Sequence, residues 1–365
     1  VLTHLYSPTG TRGARRLRLV IPGVLLIVAA AGMGNAKALP LPAQRVDVFG
    51  DMKNRPDEGR GMNILLMGTD GRDTITRQEK QEFRAGGVAC DCTDTLMLVH
   101  VSEARDRVSV VGIPRDSYAV IPAHRDKSTG QRRAAHPGRI NGAYAEGGPA
   151  LSVRTVEGMT GVRVDRYLQL DFRRFMDSVD IVDGVEVCTP RPLKDRTTKL
   201  DLAPGRHRLG GGQALQYVRS RHVDGSADFG RIQRQQRFLI GALRSVRTEN
   251  VLADSVRATH LSRALLGSAR VDRGFSTGQL LSLAKVVGRL PASSTEFTSV
   301  PVSGFNTSMK DVGETLRWDR AKAHKVFTAV KNDRPLTSRN STARLSDPPR
   351  FGSVSTVRGD TLACR

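Results

Sequence analysis

The stretch LQYVRSRHVDGSADFGRIQRQQRF, residues 215–238, holds five arginines (Arg219, Arg221, Arg231, Arg234 and Arg237) against two aspartates, Asp224 and Asp228. Guanidinium groups suit bidentate hydrogen bonding to phosphate oxygens. In an extended YVRSR segment, Arg219 and Arg221 point to the same side. Asp228 fits the N-cap of a following helix. On that helix Arg231, Arg234 and Gln235 stand at i, i+3 and i+4 and share a face opposite the apolar stripe. Arg231 falls in the first turn, beside unpaired backbone N–H groups that already attract an anion. A cation there opposes the helix dipole, which makes sense where a phosphate is held. The competing reading is a solvated basic face. The position of Arg231 and the neighbouring Arg219/Arg221 pair favour a phosphate cradle.

Three other segments carry charge at the ends of apolar runs. NILLMGTDGR ends in Asp70 and Arg72, VVGIPRDSY holds Arg115 and Asp116, and CTDTLMLVHV places Asp94 just before a run begins. Two aspartates near arginines suit a hard cation such as Mg²⁺, which takes one or two carboxylates and completes its shell with water and phosphate oxygens. Taken singly, Asp70 and Asp94 are accounted for by turn chemistry or strand capping. The metal reading requires both to converge with the arginines.

Elements must position these groups. Short apolar runs at Asn63–Met67, Leu96–Val101, Val108–Ile113, Tyr167–Leu170 and Val185–Cys188 are bounded by Gly, Pro, Asp or Asn and read as strands. Helical periodicity covers Ala150–Met159, Phe172–Ile181 and Arg231–Val246. Strands alternating with helices predict an α/β fold with a central mixed sheet flanked by helices. Ligands of such sheets bind beyond strand ends.

The chain has 365 residues and a formal net charge of +21, which calls for an anionic partner or surface. Nucleic acid is disfavoured. There is no zinc finger, RNP pattern or basic heptad run, and aromatics make up only 5%, few for base stacking. No Walker A, GxSxG or HExxH motif occurs. Arg12, Arg15, Arg16 and Arg18 precede an uncharged stretch from Leu19 to Ala36. This is the pattern of an export signal or an N-in membrane anchor. Ala36-Lys37-Ala38 has the shape of a cleavage site, but the apolar run exceeds a usual signal core, so an uncleaved anchor is favoured. Residues 1–18 are then cytoplasmic, 19–36 transmembrane, 37–60 a linker, 61–331 one extracellular domain and 332–365 a flexible tail. Four cysteines (Cys90, Cys92, Cys188 and Cys364) lack zinc-site spacing and in an exported chain read as disulfides, with the pairing open.

In order along the chain, NILLMGTDGR, TDTLMLVHV, VVGIPRDSY, RINGAYAEGG, VDGVEV, GGGQALQYVRSRH and DFGRIQRQQRF resemble the LytR-CpsA-Psr family of Gram-positive cell-wall phosphotransferases. The wording of CDCTDTLMLVH resembles actinobacterial members. The resemblance covers about residues 61–331. It implies transfer of an anionic glycopolymer, such as a teichoic acid, from a polyprenyl-pyrophosphate carrier to peptidoglycan, with formation of a phosphodiester and release of polyprenyl phosphate at the membrane. It implies Mg²⁺ or Mn²⁺ on Asp70 and Asp94, and catalytic roles for Asp70, Asp94, Arg115 and Arg219. It implies pyrophosphate binding by Arg72, Arg115, Arg139, Arg219, Arg221, Arg231 and Gln235, with Arg234 a weaker member and Asp228 orienting the arginines. Two positions depart from the family pattern. Cys92 stands where many members have Arg, a contact Arg72 would supply, and it suggests a disulfide near the site to Cys90 or Cys188. Arg139 stands where many have Lys. A lipid groove would draw on residues such as Leu151, Val156, Phe172, Phe175, Leu239 and Leu243. The alternatives are a non-catalytic, membrane-tethered binder of wall polymer and a regulator of envelope functions.

Overall fold

Aliphatic runs bounded by Gly, Pro and Asp fold as strands, and the 3.6-residue patterns between them fold as helices. The computed structural model describes residues 43–50, 52–69, 75–85, 93–223, 228–248, 256–257, 260–261, 269–309, 312–337 and 356–362. The strands are β1 (Gln44–Val46), β2 (Met62–Thr69), β3 (Thr93–Val101), β4 (Val108–Ile113), β5 (Tyr118–Ile121), β6 (His124–Arg125), β7 (Arg132–Arg133), β8 (His136–Arg139) and β9 (Arg166–Asp171). They continue with β10 (Val185–Thr189), β11 (Leu193–Asp195), β12 (Leu200–Leu202), β13 (Gly205–Leu209), β14 (Arg270–Asp272), β15 (Thr295–Ser299), β16 (Val302–Met309), β17 (Gly313–Trp318) and β18 (Val357–Arg358). The helices are α1 (Arg77–Glu82), α2 (Gly142–Thr160), α3 (Phe172–Ile181), α4 (Gly211–Arg219), α5 (Asp228–Thr248), α6 (Thr277–Arg289), α7 (Arg320–Lys331) and α8 (Gly359–Leu362).

An eight-stranded mixed sheet, in the order β1-β14-β9-β2-β3-β4-β15-β18, forms the middle layer. β2 runs parallel to β9 and antiparallel to β3, and β4 pairs antiparallel with β3 and parallel with β15. The expected strand at residues 185–188 belongs instead to a separate β10–β13 ribbon. Alternation along β2 sends Ile64 and Leu66 into one core and Leu65 and Met67 into the other. Burial on both faces is why these strands read as continuous aliphatic runs rather than alternating ones.

Helix α5 lies against the first core, and it departs from the sequence expectation. Its arginines were assigned to a face opposite an apolar stripe. In the structure Arg231 is 4%, Arg234 1% and Arg237 7% exposed, so no solvated basic face exists there. The helix sits this deep because two glycines admit it. A Cβ at Gly112 of β4 would stand 2.5 Å from Ile232 Cγ2, and one at Gly241 would stand 2.3 Å from the Glu186 carbonyl oxygen of β10.

The stretch read as a linker contributes β1, which pairs with β14, and the buried Val48. The stretch read as a flexible tail begins with an anchored turn. Buried Glu296 accepts hydrogen bonds from Leu336 N at 2.9 Å and Thr337 N at 3.1 Å. Farther on, β18 pairs with β15. The expected anchor at 19–36 lies outside the described residues, among which no helix is long and apolar enough to cross a membrane. Cys188 is disulfide-bonded, and Cys90, Cys92 and Cys364 lie outside the described residues.

Gly112→Ala should push α5 off β4 and lower stability by about 1–3 kcal/mol. A thermal melt checks this; an unchanged melting temperature would mean that the contact is slack.

Candidate functional site

The site gathers at one end of the central sheet. β2, β4 and β9 run the same way and finish there, and β3 starts there. Beyond these ends opens a cavity of about 270 Å³. Asp94 enters from the second residue of β3, Arg115 from two residues past β4, and Asp171 from the last residue of β9. Arg219, Arg221, Arg231 and Gln235 complete its polar wall.

Each arginine has a local reason for its place. Arg219 was expected in an extended segment but is the last residue of α4, where a cation is favoured by the helix dipole. At Ser220 the chain turns out of the helix (φ −59°, ψ 138°), so Arg219 and Arg221 reach the cavity around a corner rather than along one strand face. Asp195 fixes that corner. Its carboxylate accepts from Arg221 N at 2.9 Å, His222 N at 3.2 Å, Thr197 N at 2.8 Å and Thr198 N at 3.4 Å. Burial of Asp195 works to raise its pKa, and these backbone donors outweigh that and hold it below its ordinary value. Arg234 does not line the cavity; its Nη2 donates to Ser220 O at 2.5 Å and clamps the same corner from below. Gln235 lines the cavity while its Nε2 donates to Thr95 Oγ1 at 3.0 Å and Val218 O at 3.2 Å, joining β3, α4 and α5.

Asp94 is the electrostatic centre. Burial pushes its pKa up, but the guanidiniums of Arg231, Arg115, Arg221 and Arg219 together outweigh burial and hold the carboxyl below its ordinary value. Arg115 Nη1 donates directly to Asp94 Oδ1. Four arginines against two aspartates leave the polar wall with excess positive charge. Such a wall accepts a multiply charged anion. The remaining wall is apolar and includes Leu66, Met97, Leu170, Phe175, Phe238 and Leu239, with the Phe175 and Phe238 rings 5.4 Å apart. The cavity therefore suits a molecule with a charged head and a hydrocarbon tail.

A family model described as the LytR_cpsA_psr family matches residues 37–332. The chain belongs to the LytR_cpsA_psr family. Among the relatives of this LytR_cpsA_psr chain is the "Probable cell wall biosynthesis protein LcpB" of Corynebacterium glutamicum. It is 30% identical over 272 residues, covering 74% of this chain and 61% of that protein. The "Polyisoprenyl-teichoic acid--peptidoglycan teichoic acid transferase TagU" of Bacillus anthracis is 30% identical over 234 residues, covering 62% of this chain and 69% of that protein. The chain spans 61% and 52% of the length of LcpB and LcpA from C. glutamicum. Among solved structures, the LytR-Csp2A-Psr enzyme from Actinomyces oris superposes with a TM-score of 0.56 at 21% identity, over 80% of this chain and 96% of that one. TagV of Bacillus subtilis gives 0.56 at 21%, over 76% and 100%. At such identities these likenesses establish the fold alone.

Of the residues singled out in this LytR_cpsA_psr sequence, Asp94, Arg115, Arg219, Arg221, Arg231 and Gln235 share one cavity. Asp70 and Arg72 lie outside the described residues. Asp228 opens α5, and its side chain is likewise outside them. Arg139 is not in the wall; its Nη1 lies 3.7 Å from Asp116 Oδ1 and its Nε donates to Glu314 O at 3.1 Å. Of the expected groove residues, Phe175 and Leu239 line the cavity. Leu151 and Val156 pack in cores on α2 instead, Leu243 is buried in the first core, and the Phe172 side chain is outside the described residues. Asp171 and Asp195 were missed. The first carries the same strand-end signal as Asp70, and the second opens an Asp-x-Thr-Thr turn.

Because the folded pKa of Asp94 lies below the unfolded one, its charge contributes stability above the unfolded carboxylate range. That contribution is lost as pH falls through the folded value. Asp94→Asn should lower the urea midpoint at about pH 7, and the gap from wild type should close by about pH 2–3. A gap constant with pH would refute the charge account. Asp195→Ala should weaken binding of a short-chain prenyl pyrophosphate about tenfold by freeing the Arg221 corner. Isothermal titration calorimetry measures it, and an unchanged affinity would show that the corner holds without Asp195.

Proposed function

We propose that this chain transfers an anionic glycopolymer from a polyprenyl-pyrophosphate carrier to a peptidoglycan hydroxyl. The observation that carries the reading is the cavity in which four arginines meet Asp94 and Asp171 beside a hydrocarbon-lined wall. Family membership supports it, as do relatives named as teichoic acid transferases.

In this reading the pyrophosphate lies among Arg115, Arg219, Arg221 and Arg231, and the prenyl chain runs along Phe175, Phe238 and Leu239. The acceptor hydroxyl attacks the phosphorus that bears the glycan. The bond from that phosphorus to the bridging oxygen breaks, and polyprenyl phosphate departs with the electron pair. The new phosphorus–oxygen bond completes a phosphodiester, and the hydroxyl proton passes to solvent. Phosphoryl transfer of this kind depends on positioning and on spreading charge, which the guanidiniums supply. Asp94 is a poor general base, because its neighbours hold its pKa below the ordinary carboxylate value, far from neutral pH. Its role is to anchor Arg115 and keep the arginines from repelling one another.

Mg²⁺ or Mn²⁺ fits the donor set. Asp94 and Asp171, whose carboxylates are hard oxygen donors, both line the cavity. Such an ion takes one or two carboxylates and fills its shell from water and phosphate. Among the described residues no group of three or more His, Cys, Asp or Glu is gathered for a metal, and this ion does not need one. When bound by Asp94, with Asp70 as the expected second ligand, it would neutralise charge on the pyrophosphate. Expected placement is at the outer face of the membrane.

The test incubates the protein with a short polyprenyl-pyrophosphate-linked glycan and peptidoglycan fragments and follows polyprenyl phosphate by mass spectrometry. Arg231→Ala and Arg219→Ala should each reduce release about a hundredfold. Tight donor binding with no release, with or without Mg²⁺, would replace the transferase reading with that of a non-catalytic binder.

A further inference from the structure

The central sheet fixes the end of the domain at which the N-terminal chain joins it. Gln44 of β1 pairs with Arg270 of β14, Arg270 with Gln169 of β9, and Gln169 with Met67 of β2. Met67 lines the cavity. Three strand spacings separate Gln44 from Met67 along this row, about 14 Å. β14 runs antiparallel to β9, which finishes at the site, and β1 runs parallel to β14. β1 therefore starts at the site end and runs away from it. The uncharged stretch Leu19–Ala36 ends eight residues before Gln44. Eight residues reach at most about 30 Å. β3, nine residues long, sets the depth of the sheet from the site end to the other at about 30 Å. An anchor in the bilayer thus holds the site end near the membrane with slack to spare. Turning the opposite end to the membrane would use the whole reach.

The same end carries a rim of uncommitted cations. The β11–β12 turn holds Arg196 and Lys199, both exposed, on either side of Thr197 and Thr198, which line the cavity. Arg84, just past α1, is exposed, and its carbonyl oxygen accepts from Nη1 of the wall residue Arg219 at 3.3 Å. None of these three cations has an ion-pair partner among the described residues. Neighbouring carboxylates are already committed. Asp195 accepts from the amides of the Arg221 corner, and Asp201 pairs with Lys194 Nζ at 2.6 Å. Helix α1 adds no net charge, with Arg77 and Lys80 against Glu79 and Glu82. Arg84, Arg196 and Lys199 stand outside the cavity wall, so they are not part of the cradle within it.

We propose that the rim of Arg84, Arg196 and Lys199 rests on an anionic lipid surface, so that the cavity opens onto the headgroups. The assignment deepens the transferase reading and rests on it and on the expected anchor. Basic side chains at a membrane are drawn to anionic headgroups, and the pull fades within a Debye length. Tether and rim lie at one end of the sheet, so the tether raises the local concentration of headgroups at the rim. A prenyl chain then passes from the bilayer to the apolar wall without exposing its length to water.

The full chain is reconstituted in phosphatidylcholine nanodiscs with and without phosphatidylglycerol, and amide hydrogen exchange is read by mass spectrometry. Residues 193–202 and 77–85 should exchange about tenfold more slowly in the anionic discs at low salt, and added salt should remove the difference. Arg84→Ala/Arg196→Ala/Lys199→Ala should abolish it; all three residues are exposed, and circular dichroism checks the fold. Arg105→Ala, in the exposed β3–β4 turn at the opposite end, should leave it intact. Equal exchange in both discs overturns the proposal, as does slowing confined to residues 102–107 or a chain that does not stay with the discs. Slowing produced by a glycerol phosphate oligomer in neutral discs, and not by phosphatidylglycerol, overturns it by making a soluble polyanion the occupant. Rim protection in a protein that releases no polyprenyl phosphate sinks the transferase reading and leaves the membrane face standing. Release with no lipid-dependent protection sinks the membrane face alone.

Discussion

Guanidinium groups drawn out of water repel one another strongly, because the interior screens charge poorly. Four of them converge on Asp94, and their combined field overrides the burial that would otherwise neutralise it. Much of the local architecture answers to this constraint. Arg219 is placed at a helix C-terminus, where the dipole favours it. Arg221 is held by a corner where its own amide and that of His222 donate to Asp195. Arg231 is carried inward by a helix that packs closely on β4 at Gly112 and on the β10–β13 ribbon at Gly241. Two carboxylates do not balance four cations, so an anion that binds the folded form alone would add to stability by mass action.

The strands and the main helices were legible because their signals are local: aliphatic runs bounded by turn residues, and a 3.6-residue stripe on α5. Convergence of Asp94, Arg115 and the arginine-rich stretch was legible as motif and strand-end chemistry. What failed was direction. YVRSR alternates in a way that suits a strand, yet the preceding Gly-Gly-Gln-Ala-Leu-Gln run is helical and carries Arg219 with it, so tertiary context overrode the local pattern. The cradle reading of the α5 arginines was legible over that of a solvated face, but their depth was not, because nothing in a single sequence tells a buried guanidinium from an exposed one. Arg234 is a case in point: it lies outside the cavity wall and donates to the Ser220 carbonyl. Leu151 and Val156 have the right character for a lipid groove but sit on α2, across the sheet. Hydrophobicity marks burial without saying in which core.

The division of the cavity into a charged half and an aliphatic half follows from how the two layers meet. The charged half draws Arg115 and Arg221 from loops, Asp94 and Asp171 from strand ends, and Arg219, Arg231 and Gln235 from α4 and α5. The aliphatic half is built from β2, β3, β9, α3 and α5, whose inward faces are already core. The apolar wall is thus continuous with the first hydrophobic core.

The outer strands of the central sheet have a consequence of their own. β1, three residues long, covers β14 at one side, and β18, two residues long, covers β15 at the other. Both come from regions that composition marks as loose. An uncovered sheet edge offers unpaired N–H and carbonyl groups to any other chain. These two short segments therefore act as end caps against strand-to-strand association. Trimming the polypeptide to the part between the two would keep the residues of the candidate site while exposing both flanks to self-assembly.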